Sequence, residues 1–270
     1  MKAILFDMDG VLYEGERPIP GAARTLAWCR ERGIPFRFLT NTTSRPREAL
    51  VAKLADMGIT ADVGEIVTPP VAACDWLSRH VDGPVAAFVP ERTRDEFTDL
   101  SLAPPGADRA AAVIVGDLGE GWDFDTLNRA FRLIFDHPGT PLVALGLTRY
   151  WQAEDGARLD AGPFVRALEY ALGIEAVVMG KPGRRFFDAA LATLGVAAPE
   201  AVMVGDDIRS DVDAAMQAGL AAIQLRSGKF RERDLDLGIH PTAVVDSIAD
   251  LPAWWEQHAP DVADHGNGAT

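Results

Sequence analysis

Residues 4–13 read "ILFDMDGVLY". A short apolar run, Ile4-Leu5-Phe6, delivers the chain into Asp7, and Met8, a second acid Asp9 and Gly10 follow. Residues two apart on an extended strand project to the same side. Two anions held that way each disfavour the other's ionisation. A divalent cation or a shared proton is the usual compensation.

The rest of the chain repeats the same opening: an apolar run, then an amphipathic stretch. "PFRFLT", "AAVIVG", "PLVAL", "AVVMG", "AVMVGD" and "AAIQL" read as strands. "GAARTLAWCRERG", "RPREALVAKLADMG", "FDTLNRAFRLIFD" and "RRFFDAALATLG" read as helices, several stopped by glycine. This alternation predicts an α/β fold with a mainly parallel sheet. No GxGxxG follows a strand and no GxxxxGK[ST] is present, so neither nucleotide-binding loop is written here. Trp254-Trp255 reads as packing of a final helix, and residues 259–270 as a flexible polar tail.

The 270 residues carry 26 basic and 40 acidic side chains, a net charge of -14. That balance argues against non-specific nucleic-acid binding and against docking on anionic membranes. An anionic small substrate remains compatible, because a bound cation inverts the local field. Cys29 and Cys74 form no CxxC pair. With no signal-peptide pattern and no run near the roughly 20 apolar residues of a membrane span, the expected setting is cytoplasmic.

In open parallel sheets, ligands sit beyond the carboxyl ends of the strands. Asp7 and Asp9 follow the first run; Thr40, Asn41 and Thr42 follow "PFRFL". Lys181-Pro182 follows "AVVMG"; Asp206 and Asp207 follow "AVMVG", with Asp211 one turn into the next helix. Asp7, Asp9 and Asp206 suit a hard, oxygen-preferring cation, for which Mg²⁺ is the expectation. Lys181 offers a point charge, and Thr40 a hydroxyl, to phosphate oxygens. A carboxylate can attack phosphorus, and a second one two residues on can move the protons.

The set "DMDGVL", "TNTT", "KP" and "GDDIRSD" resembles the four motifs of the haloacid dehalogenase superfamily, most of whose members are phosphatases. The resemblance implies a Rossmann-like core with Asp7 as nucleophile and Asp9 as general acid/base. It implies Mg²⁺ held by Asp7, Asp206 and the backbone carbonyl of Asp9. Thr40 and Lys181 would bind phosphate, with Asn41 contributing through its backbone. Asp211, and with it Asp207, would stand behind the ligands and orient metal-bound water. The second acid, Asp9, separates phosphatases of this superfamily from its dehalogenases.

Between Asp9 and Thr40 there is room for one helix and one strand. Between Thr40 and Lys181 roughly 100 residues exceed what the core needs, about one small domain. The expected organisation is a core of residues 1–81 and 179–258 with an α/β insert at 82–178. An insert between the second and third motifs resembles the C2-type cap of subfamily IIA. The stretch "TRYWQAEDGARLDAGPFVRALEYA" resembles the phospholysine/phosphohistidine inorganic pyrophosphate phosphatase group and its domain-2 hydrolase relatives. Substrate choice is expected there, from Arg149, Tyr150, Trp151, Glu154 and Arg158, because a phosphate cradle cannot distinguish leaving groups. The implied partner is a small phosphorylated substrate, with a homodimer through the cap as in relatives of this cap type. Two other readings stay open: a phosphoacceptor signalling module, and a phosphate-ligand-binding protein without turnover. The first usually places its acid pair and its phosphorylated Asp on different strands, and the intact Asp7/Asp9 pair speaks against the second.

Overall fold

The computed structural model describes residues 1–43, 45–153 and 156–258, without the side chains of 151–153. The expected tail at 259–270 lies outside the described residues. In chain order the strands are β1 (Ala3–Asp7), β2 (Tyr13–Glu14), β3 (Arg17–Pro18), β4 (Phe36–Leu39), β5 (Ile66–Val67), β6 (Val85–Phe88), β7 (Ala112–Val115), β8 (Leu142–Ala144), β9 (Tyr150–Ala153), β10 (Gly156–Leu159), β11 (Val177–Val178), β12 (Ala201–Gly205), β13 (Ala221–Leu225) and β14 (Ala243–Val245). Two compact units result. One comprises Met1–Leu39, Lys53–Glu65 and the chain from Ala190 onward; the other comprises Thr40–Ala52 and Ile66–Ala189.

In the first unit the strands run parallel in the order β14-β13-β12-β1-β4. Every residue of β1 and of β12 is buried. That is why both read as unbroken apolar runs rather than alternating ones: a sheet covered on both faces has no wet side. Phe6, Phe36 and Phe38 pack edge-on and tilted against one another across β1 and β4, with ring centroids 5.2 to 6.4 Å apart. Aromatic clusters of this kind add to the plain burial gain. The chain leaves β1 toward β4 on one side and returns to β12 on the other. Asp7 therefore ends a strand at the topological switch point, where a crevice opens outside the strand ends. Helix Leu251–His258 buries Trp254 and Trp255, the packing role expected of them. Cys29 and Cys74 are free, and burial pushes each thiol up to about 12, so neither is a thiolate at neutral pH.

The second unit holds a parallel sheet in the order β11-β8-β7-β6. Helix Phe124–Phe135 starts at Asp123, whose carboxylate accepts from the Thr126 N–H at 2.7 Å. It packs Ala130, Leu133 and Ile134 into one core with Val113, Val115 and Leu142 of the sheet. Helix Ala161–Leu172 adds Val165 and Leu168 to that core and ends on Gly173 at φ 66. All four strands of this sheet fall between residues 85 and 178. The compact unit is wider than that span because flanking segments bond into it. Arg47 donates through its backbone N–H and its Nε to Glu96, each at 2.9 Å, and the Thr93 hydroxyl donates to the Thr43 carbonyl at 2.7 Å. The stretch containing Arg149 to Arg158 carries the antiparallel pair β9–β10, with Arg158 opposite Trp151. "AVVMG" yields only the two-residue strand β11.

Candidate active site

β1 and β12 lie side by side in register, Phe6 opposite Val204. Their carboxyl ends therefore emerge together and bring Asp7 beside Asp206. Asp211 joins them: one carboxylate oxygen from each of the three lies within 4.8 Å of the others, and all three residues are buried. At that separation each pair repels by roughly 3–4 kcal/mol at an effective dielectric of about 20. The fold nevertheless holds them there. Burial first, and then the charge of Asp7, push Asp206 up to about 7.

Asp206 is held at its side chain and at its backbone. The Lys229 backbone N–H donates to its Oδ2 at 2.7 Å, and the buried Gln224 amide donates to its carbonyl at 2.7 Å. Ser227 Oγ donates to the Gly10 carbonyl at 2.5 Å, and the Gly228 N–H to Glu14 Oε1 at 2.9 Å. The turn at 227–229 is thus strapped to the loop that follows Asp7. Gly10 at φ 87 and Gly228 at φ 57 are both left-handed, and a Cβ on either would run into the Asp206 carboxylate. Only glycine gives this approach without strain. Asp206 Oδ1, by contrast, is buried with no hydrogen-bond partner. A buried carboxylate oxygen without a donor is costly unless a cation takes it. Three hard oxygen donors converging beside that orphan atom fit Mg²⁺.

Asp207 caps the following helical segment, its Oδ1 accepting from the Arg209 and Ser210 N–H groups at 3.0 Å. Burial raises its pKa, but these two donors and Lys229 outweigh it and hold the carboxyl below its usual range. The segment Ile208–Asp213 opens with a π-type turn, Val212 N–H donating to the Asp207 carbonyl at 3.3 Å. Asp211 Oδ2 accepts from the Asp207 N–H at 3.2 Å. The sequence reading set Asp211 behind the ligands; its carboxylate stands in the same group as Asp7 and Asp206. Asp9 is exposed, and the turn after it is closed by the Gly10 N–H donating to the Tyr13 carbonyl at 2.7 Å.

In the second unit, the Asn41 side chain clamps the backbone of Lys181. Its Oδ1 accepts from the Lys181 N–H at 2.7 Å, and its Nδ2 donates to the Lys181 carbonyl at 2.9 Å. Thr40 Oγ1 accepts from the Thr42 N–H at 3.2 Å and donates to the Thr42 hydroxyl at 3.0 Å. Thr40 and Lys181 are both buried. Arg149 and Tyr150 are exposed, with the guanidinium 5.9 Å from the ring centroid. Arg158 lies 3.7 Å from Glu120. Glu154 and the side chain of Trp151 lie outside the described residues.

The sequence reading passed over Lys229, Gly228, Ser227 and Gln224. A signal was there: "RSGK" follows directly on the carboxyl end of β13, the kind of position that singled out Asp7, Thr40, Lys181 and Asp206. Lys229 is drawn two ways. Partial burial lowers its pKa, while Asp206, Asp7, Asp207 and Asp211 raise it further than burial lowers it. Its ammonium, 3.7 Å from Asp207, is largely exposed.

Residues 4–103 match the model of the haloacid dehalogenase-like hydrolase family, and residues 178–251 match an HAD-hydrolase-like model. The chain is 37% identical over 254 residues to the phospholysine phosphohistidine inorganic pyrophosphate phosphatase of Rattus norvegicus, covering 93% of this chain and 91% of that one. It is 37% identical over 234 residues to the haloacid dehalogenase-like hydrolase domain-containing protein 2 of Mus musculus, 87% of each. The p-nitrophenyl phosphatase structure from Archaeoglobus fulgidus superposes with a TM-score of 0.83 at 26% identity, over 94% of this chain and 98% of that one. With an acid cluster at the switch point of a parallel sheet and relatives matching nearly end to end, this chain belongs to the haloacid dehalogenase-like hydrolases.

Proposed function

We propose that the chain is a Mg²⁺-dependent phosphatase that hydrolyses a small phosphorylated compound through an aspartyl-phosphate on Asp7. The observation that carries this is the buried group Asp7, Asp206 and Asp211 with Asp206 Oδ1 left without a donor. Relatives named as phosphatases support the reaction class. Asp7, Asp206 and the Asp9 carbonyl would hold Mg²⁺, with Asp211 and Asp207 orienting its water. When bound, Mg²⁺ supplies positive charge against the carboxylates and the incoming phosphate.

In the first step an Asp7 oxygen attacks phosphorus while the bond to the leaving oxygen breaks, and Asp9 gives that oxygen its proton. In the second, Asp9 takes a proton from water. The water oxygen attacks the phosphorus of the aspartyl-phosphate, releasing inorganic phosphate and restoring the Asp7 carboxylate. The exposure of Asp9 suits a group that must exchange protons with solvent. Thr40 and Lys181 bind phosphate oxygens, and Asn41 fixes the backbone that carries Lys181. We assign residues 82–178 to a cap and place leaving-group selection at Arg149, Tyr150, Trp151 and Arg158. A homodimer through the cap is the assembly this reading expects, tested by sedimentation.

The deciding experiment follows p-nitrophenyl phosphate hydrolysis with Mg²⁺, with excess chelator, and in Asp7→Asn. Activity should vanish in chelator, return with Mg²⁺, and be absent from the variant. Acid quenching during turnover should trap acid-stable, alkali-labile phosphate on the wild-type protein. Full activity in chelator, or in Asp7→Asn, would overturn the proposal.

A further inference from the structure

The second unit contains a cavity of about 80 Å³ walled by two arginines, Arg94 and Arg129. Its other walls, Ala86, Ala87, Phe88, Ala103 and Pro105, are uncharged. Arg129 projects from helix Phe124–Phe135 over the Phe88 ring, its guanidinium carbon 5.6 Å from the centroid. Arg129 Nε is buried and donates to nothing. Among the described residues no carboxylate pairs with this guanidinium. Among the described residues the carboxylate paired with Arg94 is Glu91 at 3.8 Å, and Glu91 is almost wholly exposed. An exposed pair of that kind contributes little.

A cation half withdrawn from water without an anion is disfavoured. Scarcity of acids is no explanation in a chain with 40 of them against 26 bases. The Phe88 ring lies within cation–π range of the Arg129 guanidinium, and a guanidinium fork matches the spacing of oxyanion oxygens. The cavity offers several times the space one water needs.

We infer that this cavity binds a phosphate-sized oxyanion, either free inorganic phosphate or the phosphate-like end of a larger molecule. It shares no residue with the acid cluster or with Thr40, Asn41 and Lys181, and it stands independently of the proposed reaction.

The test is thermal unfolding of the full chain in chelator, with inorganic phosphate, methylphosphonate or chloride at equal ionic strength. Without metal, the three carboxylates repel anions from the acid cluster. Phosphate should raise the wild-type midpoint by about 2 °C or more over chloride, increasing with the logarithm of its concentration. Arg129→Met should lose that response. In chloride it should melt no lower than wild type, because a thioether packs on Phe88 without an unpaired charge. Arg94→Met should weaken the response, and Lys181→Met should keep it. Methylphosphonate acting as well as phosphate identifies the end of a larger molecule as the ligand; phosphate acting alone identifies the free ion. Absence of a wild-type response, an undiminished response in both arginine variants, or its loss in Lys181→Met would each overturn the assignment.

Discussion

Replacing Asp206 with Asn probes the acid cluster without any reference to turnover. The folded chain holds this carboxyl at about 7, against roughly 3.9 in an unfolded chain. The folded state therefore binds the proton more tightly than the unfolded state does. Stability from this group is fully present at low pH and is lost as pH rises from about 4 through 7. Three pH units at about 1.36 kcal/mol each make a penalty of roughly 4 kcal/mol above pH 7 in the metal-free protein. Asn removes the charge and can still accept from the Lys229 N–H. The exchange of a charged for a neutral acceptor costs about 1 kcal/mol. The variant should thus be more stable than wild type by about 2–4 kcal/mol at pH 8 in chelator. The gap should shrink toward nothing as pH approaches 4. Mg²⁺ at a hundred times its Kd should add about 2.7 kcal/mol to wild type and much less to the variant. Urea unfolding at pH 5 and pH 8, with and without Mg²⁺, reads all of this. A variant less stable than wild type at pH 8 in chelator, or a gap that does not change with pH, would refute the claim that the fold stores repulsion at Asp206.

Gly228→Ala puts a methyl group into the Asp206 carboxylate at a left-handed position, so it should cost at least about 1–2 kcal/mol of stability and weaken Mg²⁺ binding, which calorimetric titration would show; unchanged affinity would mean the strap at 227–229 does not position Asp206. Asn41→Ala removes both hydrogen bonds that clamp Lys181 and should destabilise by about 1–3 kcal/mol, raising KM for every phosphate ester by a similar factor; a selective effect on one ester would contradict a role confined to phosphate. Arg149→Ala and Arg158→Ala should change the ranking of kcat/KM across a panel of phosphate esters while leaving p-nitrophenyl phosphate nearly untouched; a common drop for all substrates would assign β9–β10 to folding or closure instead.

The convergence of Asp7 and Asp206 was legible in the sequence for one reason. Each follows an apolar run, and the strand period together with the switch-point rule states where such residues emerge. What escaped depends on information that period does not carry. The approach of Asp211 to the other two acids rests on a π-type turn at Asp207. Widening a helix by one residue leaves no mark in a pattern of apolar spacing. The Asn41 side chain grips the backbone of Lys181 across 140 residues. The strap at 227–229 reaches Gly10 across 217 residues. No local window holds both ends of either contact. The two glycines that make the strap possible, Gly10 and Gly228, read alone as ordinary turn residues; only the Asp206 carboxylate between them explains why neither position admits a Cβ. A strand-end rule therefore finds the acids that the sheet brings together. The residues that hold those groups against their own repulsion come from contacts distant in sequence, and they appear only once the sheet is assembled.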